Sequence, residues 1–186
     1  APVPIRPESY DFRILPKDID IFYSGARRVK GVGDRFEVTE LVRDNFKNSV
    51  LLEKSRGDSF LSTQSYLDHV SRARIALSPS GFVWDSFRHC EIGLANRTAL
   101  LAPRPYMEVV GPFLKDGKNA ILYETEFRDG KYHLKGAREL IAKIRNYLTH
   151  PAELERLAEE WAHDVRAGHT VTARAKYIVE SMEKAF

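Results

Sequence analysis

Arg88 and Glu91 stand three residues apart, just downstream of the small-residue run Ser78-Pro79-Ser80-Gly81. On a helix that spacing puts both side chains on one face. The pattern predicts a helix over 85–95, and the unpaired N–H groups of its first turn, near Ser80, Gly81 and Ser86, suit a phosphate. An arginine beside a phosphate and a carboxylate beside ribose hydroxyls is the division of labour a nucleotide requires. The same spacing also describes a solvated Asp85–Arg88–Glu91 ladder, worth ~0.3–0.5 kcal/mol per pair. Charged triplets are common on helices, so spacing alone favours the ladder.

A second candidate lies upstream. Ser24-Gly25-Ala26-Arg27-Arg28-Val29-Lys30-Gly31-Val32-Gly33 is basic and contains glycine, so a phosphate could rest against Gly25 and Arg27. It is neither a Walker loop nor a GxGxxG, and a basic surface turn is the default for such a run. Asp116-Gly117-Lys118-Asn119 reads as a turn whose glycine supplies positive φ. Histidines 69, 89, 133, 150, 163 and 169 form no close-set ligand group, so no metal is expected. There is no G-x-S-x-G elbow, and Cys90 falls on an apolar helical stripe, where a packed thiol is expected rather than a nucleophile.

Short β-rich runs at 18–24, 49–53, 74–78, 98–102 and 120–123 alternate with helical patterns at 36–46, 63–72 and 85–95. Phe87, Cys90, Leu94 and Ala95 make the expected buried stripe of the third helix. The C-terminal third is helical throughout. Its stripes are Ala137, Leu140, Ile141, Ile144 and Leu148; then Leu154, Leu157, Ala158, Trp161, Ala162 and Val165; then Val171, Ala175, Ile178 and Met182. Pro151 opens the middle helix and Thr170 caps the last. This alternation predicts an α/β fold, a Rossmann-like parallel sheet with helices on both faces. In such sheets ligands sit beyond the carboxyl ends of the strands, which singles out the loops after Ser24, Ser78 and Ala102.

Composition fits one domain: 186 residues, 43% hydrophobic and 30% charged, with no low-complexity segment. Residues 1–17 read as a linker or the remnant of a preceding region, and 18–186 as the domain. The net charge of +3 suits an anionic ligand but is no concentrated basic stripe, which argues against a nucleic-acid partner. No apolar run reaches the ~18 residues of a transmembrane segment. One cysteine gives no disulfide framework, and a cytoplasmic location is expected.

Taken in order, these motifs resemble the donor domain of group 1 glycosyltransferases of the GT-B fold. Pro79-Ser80 followed by Glu91 twelve positions after the proline resembles that family's donor-site signature, and Arg88-His89-Cys90-Glu91 its R-x-x-E helix. Ile19 to Gly25 looks like the first strand and glycine loop, Asp116-Gly117-Lys118-Asn119 like the "dGkN" turn, and Gly168-His169-Thr170 like the closing "HT". Many members carry another glutamate eight positions before the second; here that residue is Val83, so a branch with R-x-x-E alone is the nearer likeness. The usual glycine after the helix is Asn96.

The resemblance implies one half of a GT-B fold that binds a nucleoside-diphosphate sugar, with Glu91 on the ribose and the 79–88 segment on the diphosphate. With no Asp-x-Asp and no clustered carboxylate–histidine set near this site, binding is expected to be metal-independent and to use no cofactor, and the resemblance implies an acceptor-binding N-terminal domain absent from this chain. No catalytic residue is assigned, because in this family the base usually lies across the cleft. Two other expectations share the architecture: a non-catalytic nucleotide or sugar binding module, and a sugar-nucleotide epimerase.

Overall fold

The computed structural model describes residues 4–26, 34–54, 61–80, 84, 86–95, 97–106 and 112–184. Among them are β1 (Ile19–Ala26), β2 (Ser49–Lys54), β3 (Ala73–Leu77), β4 (Ala99–Pro103), β5 (Ile121–Arg128) and β6 (Lys131–Lys135). They form one sheet in the order β2-β1-β3-β4-β5-β6. The first five strands are parallel, and β6 runs antiparallel to β5 at the edge.

Alternation along the strands divides the core into two layers. Phe22, Ala76, Leu100 and Leu122 face α2 (Thr63–Arg72), α3 (Phe87–Leu94) and part of α5 (Pro151–Gly168), meeting Val70, Cys90, Ile92, Trp161 and Val165. Ile21, Ile75, Leu77, Leu101 and Ile121 face α1 (Asp34–Asn45) and α4 (Ala137–Thr149), meeting Val38, Leu41, Val42, Leu140 and Ile144. All six stripe residues expected on α5 are buried. Helices on both faces of a mostly parallel sheet are the expected architecture.

Three local expectations change. β5 does not stop at Tyr123; it runs to Arg128 and returns as β6 through Asp129 and Gly130, at φ 52° and 74°. An Asp-Gly pair with both φ positive makes the tight turn whose twist suits a hairpin. Phe87, expected inside, is 49% exposed: it is the first residue of α3, directly after the Ser86 cap. The last helix, α6 (Val171–Glu183), has no buried residue, and its Ile178 and Met182 are 56% and 57% exposed. It packs on α5.

Residues 4–17 lie along the domain. Ile5 is buried, donates its N–H to His169 O at 3.1 Å and accepts from Val171 N at 3.0 Å. Tyr10 stacks on Phe12. Lys17 Nζ donates to Ala73 O at 2.7 Å and Thr98 Oγ1 at 2.8 Å, and burial, helped by the nearby Arg97 charge, pulls its pKa down to about 7.

Candidate functional site

β1 and β3 are neighbours, and their carboxyl ends deliver Gly25 and Ser78–Ser80 to the same rim of the sheet. Ser86, with extended backbone, caps α3 by accepting the Arg88 N–H at 3.3 Å. The cap fixes where the helix starts, and so aims Arg88 at β1. Arg88 Nη1 lies 3.4 Å from the point a Cβ on Gly25 would occupy; the Tyr23 hydroxyl lies 2.6 Å from that point. A side chain at residue 25 has no room there. The Arg88 Nε is buried and has no hydrogen-bond partner among the described residues.

One turn further along α3, Glu91 is buried at 7% exposure. Its Oε1 accepts from the Tyr10 hydroxyl at 3.0 Å and its Oε2 from the Tyr66 hydroxyl at 3.2 Å. This corrects the solvated-ladder expectation: Glu91 faces α2 and the 4–17 segment, not water. Burial raises its pKa, opposed by the Tyr10 hydrogen bond, the Arg88 charge and the Tyr66 hydrogen bond. Burial, with the Glu91 charge adding to it, pushes the Tyr10 phenol up to about 12 and moves Tyr66 in the same direction.

The first two residues of α1 hold the other side of the rim. Asp34 is fully buried; its Oδ2 accepts from Ser80 N at 3.4 Å and from the Tyr123 hydroxyl at 2.9 Å. Arg35 donates from Nε and Nη2 to Ser80 O at 3.1 and 2.8 Å. The Asp34-Arg35 pair therefore grips both backbone polar groups of one residue, Ser80, in the segment that leads out of β3. Burial raises the Asp34 pKa against the Tyr123 and Ser80 hydrogen bonds. Asp34 Oδ1, Ser78 Oγ and Ser80 Oγ are buried without partners among the described residues.

Of the expected site residues, Gly25, Ser80, Ser86, Arg88 and Glu91 thus gather on one rim. Arg27 and Gly81 lie outside the described residues, as do Val83 and Asp85. Among the described residues no group of three or more His, Cys, Asp or Glu side chains could hold a metal ion. No described helix is long and apolar enough to cross a membrane.

The sequence profile of the glycosyl transferase-like family matches residues 22–180, most of the chain. The chain belongs to the glycosyl transferase-like family. No curated protein matches it. Among solved structures it is similar to sucrose-phosphate synthase from Thermosynechococcus elongatus, with a TM-score of 0.63 and 14% identity. That match covers all of this chain and 52% of the synthase. TarM is also similar, with a TM-score of 0.56 and 9% identity over 96% of this chain and 36% of TarM. The chain thus spans about half the synthase and a smaller share of TarM. At these identities the likeness shows the fold, one half of the GT-B type.

In this glycosyltransferase-like domain, sequence reasoning missed Tyr10, Tyr66, Asp34 and Arg35. Tyr10 meets Glu91 across 81 positions of chain, a pairing no local spacing reveals. Asp34 and Arg35 carried one legible signal, an Asp-Arg pair opening an amphipathic helix directly after the basic glycine run.

Proposed function

We propose that this chain is the donor-binding domain of a glycosyltransferase, and that a nucleoside-diphosphate sugar lies across the carboxyl ends of β1 and β3. One observation carries the reading: Arg88, whose buried Nε has no partner among the described residues, points from the capped start of α3 at Gly25, where residue 25 itself adds no side chain. A diphosphate there would meet a guanidinium and the first turn of α3, so leaving-group charge developing during transfer is stabilised in place. Glu91, one turn on, would take the ribose hydroxyls. The charge is met by protein groups, so binding would need no divalent ion.

The domain supplies one wall of a cleft. Transfer would need an acceptor wall, and the chain alone is expected to bind donor without transferring sugar beyond slow hydrolysis. Titrating a panel of nucleoside diphosphates, with and without chelator, tests the reading. Binding that survives chelation supports it, whereas affinity that collapses on chelation requires a metal and contradicts it.

The closed state of Glu91 favours a second reading. With both carboxylate oxygens already accepting tyrosine hydroxyls, a non-catalytic member of the family would keep the same geometry as a structural lock. A chain that binds no nucleotide at all would favour this reading over the first.

A further inference from the structure

Tyr106, Phe127 and Tyr132 form an aromatic group that the donor reading leaves unused. β5 continues five residues past Tyr123, its last partner on β4. The β5–β6 hairpin therefore reaches beyond β4 at the carboxyl edge of the sheet, with β6 packed against α1, where His133 Nδ1 and Leu134 N meet Glu37 at 2.6 Å. That is the edge on which Gly25, Ser80 and Arg88 gather. Phe127 and Tyr132 pair directly across the hairpin, with ring centroids 5.1 Å apart. Tyr106, three residues past the end of β4, stacks on Tyr132 at 4.3 Å with rings 12° apart. Phe127 is 64% exposed and Tyr106 is 41% exposed.

Tyr106 joins this arm to the candidate site. Two residues before it, Arg104 donates its N–H to Tyr123 O at 2.8 Å, and Trp84 Nε1 donates to Pro103 O at 2.8 Å. The rim therefore runs from Arg88 beside Gly25 to Ser80, which Asp34 and Arg35 hold, then to Tyr123, which donates to Asp34, and on through Arg104 to Tyr106, Tyr132 and Phe127. A ligand with its diphosphate at Arg88 that follows this rim would pass Ser80 and Tyr123 toward the aromatic arm. What lies beyond the diphosphate in such a ligand is a sugar.

Resting on that donor reading, we propose that Tyr106, Phe127 and Tyr132 form a subsite that stacks against the face of a pyranose ring. Aromatic faces carry negative charge density, and the apolar face of a pyranose presents C–H groups to it. Exposed apolar patches mark binding surfaces. On β5, Glu124 pairs with Arg104 at 2.6 Å and Arg128 with Glu126 at 3.6 Å, at positions that alternate with Phe127. The ring belongs either to the donor's glycosyl group or to a sugar acceptor laid against it; the stacking chemistry is shared.

The test is calorimetric titration of the whole chain and of Phe127→Ala, Tyr132→Ala and Tyr132→Phe. The probes are UDP, UDP-glucose, GDP, GDP-mannose and maltotriose, with melting curves for every variant. Both alanine variants should bind a sugar-bearing probe about fivefold to tenfold more weakly while UDP and GDP change less than about twofold. Tyr132→Phe keeps the ring and should bind as wild type. Loss confined to the sugar nucleotides assigns the subsite to the donor, and loss confined to maltotriose assigns it to an acceptor. A wild type that binds maltotriose but no nucleotide, with that binding lost in the variants, upholds the subsite and overturns the donor reading. Unchanged affinities in both alanine variants, or a wild type that binds no sugar-bearing probe, overturn the subsite. If Tyr132→Ala fails to fold, Phe127→Ala decides, because its largely exposed ring contributes little to the core.

Discussion

The Tyr10 hydroxyl donates to Glu91 Oε1 at 3.0 Å, so a residue from the N-terminal segment occupies the carboxylate proposed for the ribose. Tyr66 holds the other oxygen. A ribonucleotide must therefore displace Tyr10 or share the carboxylate with it. Tyr10→Phe removes the competing hydroxyl and keeps the ring stacked on Phe12. A hydrogen bond to a charged group is worth about 1.5–3 kcal/mol, part of which the ribose hydroxyls recover. The variant should bind ribonucleoside diphosphates about threefold to tenfold more tightly and 2′,3′-dideoxy analogues no better. Calorimetric titration checks this; equal gains for both kinds of ligand would mean the hydroxyl competes with something other than ribose.

The grip of Asp34 and Arg35 on the Ser80 backbone should govern both stability and binding. Arg35→Ala removes two hydrogen bonds from a buried guanidinium to Ser80 O. It should lower stability by about 2–3 kcal/mol and weaken nucleoside-diphosphate binding through the displaced loop. Arg35→Lys should recover only part of each, since an ammonium cannot reproduce the two-nitrogen contact. Denaturant melts and titrations measure the two effects. A variant as stable as wild type would show that the grip contributes nothing.

What the sequence revealed follows the range of the interactions. The strands and the α5 stripe were readable because strand alternation and helical period repeat within a few residues. The common face of Arg88 and Glu91 was readable for the same reason. Whether that face met water or protein was not, because the answer lies with Tyr66 and Tyr10, far away in the chain. Local charge counting therefore favoured a solvated ladder where the structure buries a carboxylate. β6 was missed although Asp129-Gly130 announced a turn, because the charged residues Glu124, Glu126 and Arg128 obscured an edge strand with one polar face. The exposed face of α6 was likewise unreadable, since periodicity identifies an apolar stripe but not whether anything covers it.

His89 supplies a pH dependence. Burial, with the nearby Arg88 and His169 adding to it against a hydrogen bond to Ser78 O, lowers its pKa from 6.5 to about 4. A group depressed in the folded state stabilises the fold fully above its unfolded pKa, and that contribution is lost as pH falls through the folded value. Stability should therefore decline by up to about 1.4 kcal/mol per unit between pH 6.5 and 4 beyond what the carboxylates cause. Melts of wild type and His89→Gln across that window check the sign. A variant with the same acid slope as wild type would contradict the assignment.

Arg88→Ala and Glu91→Gln test the central claim together. Calorimetric titration of wild type and both variants with UDP, GDP and ADP, their nucleosides and their 2′,3′-dideoxy forms measures it most directly. If Arg88 holds a diphosphate, Arg88→Ala should weaken the diphosphates about tenfold to a hundredfold and leave the nucleosides nearly unchanged. If Glu91 holds the ribose, Glu91→Gln should weaken ribonucleotides more than their dideoxy forms. Unchanged affinities in both variants, or a folded wild type that binds no nucleotide, would contradict the donor site.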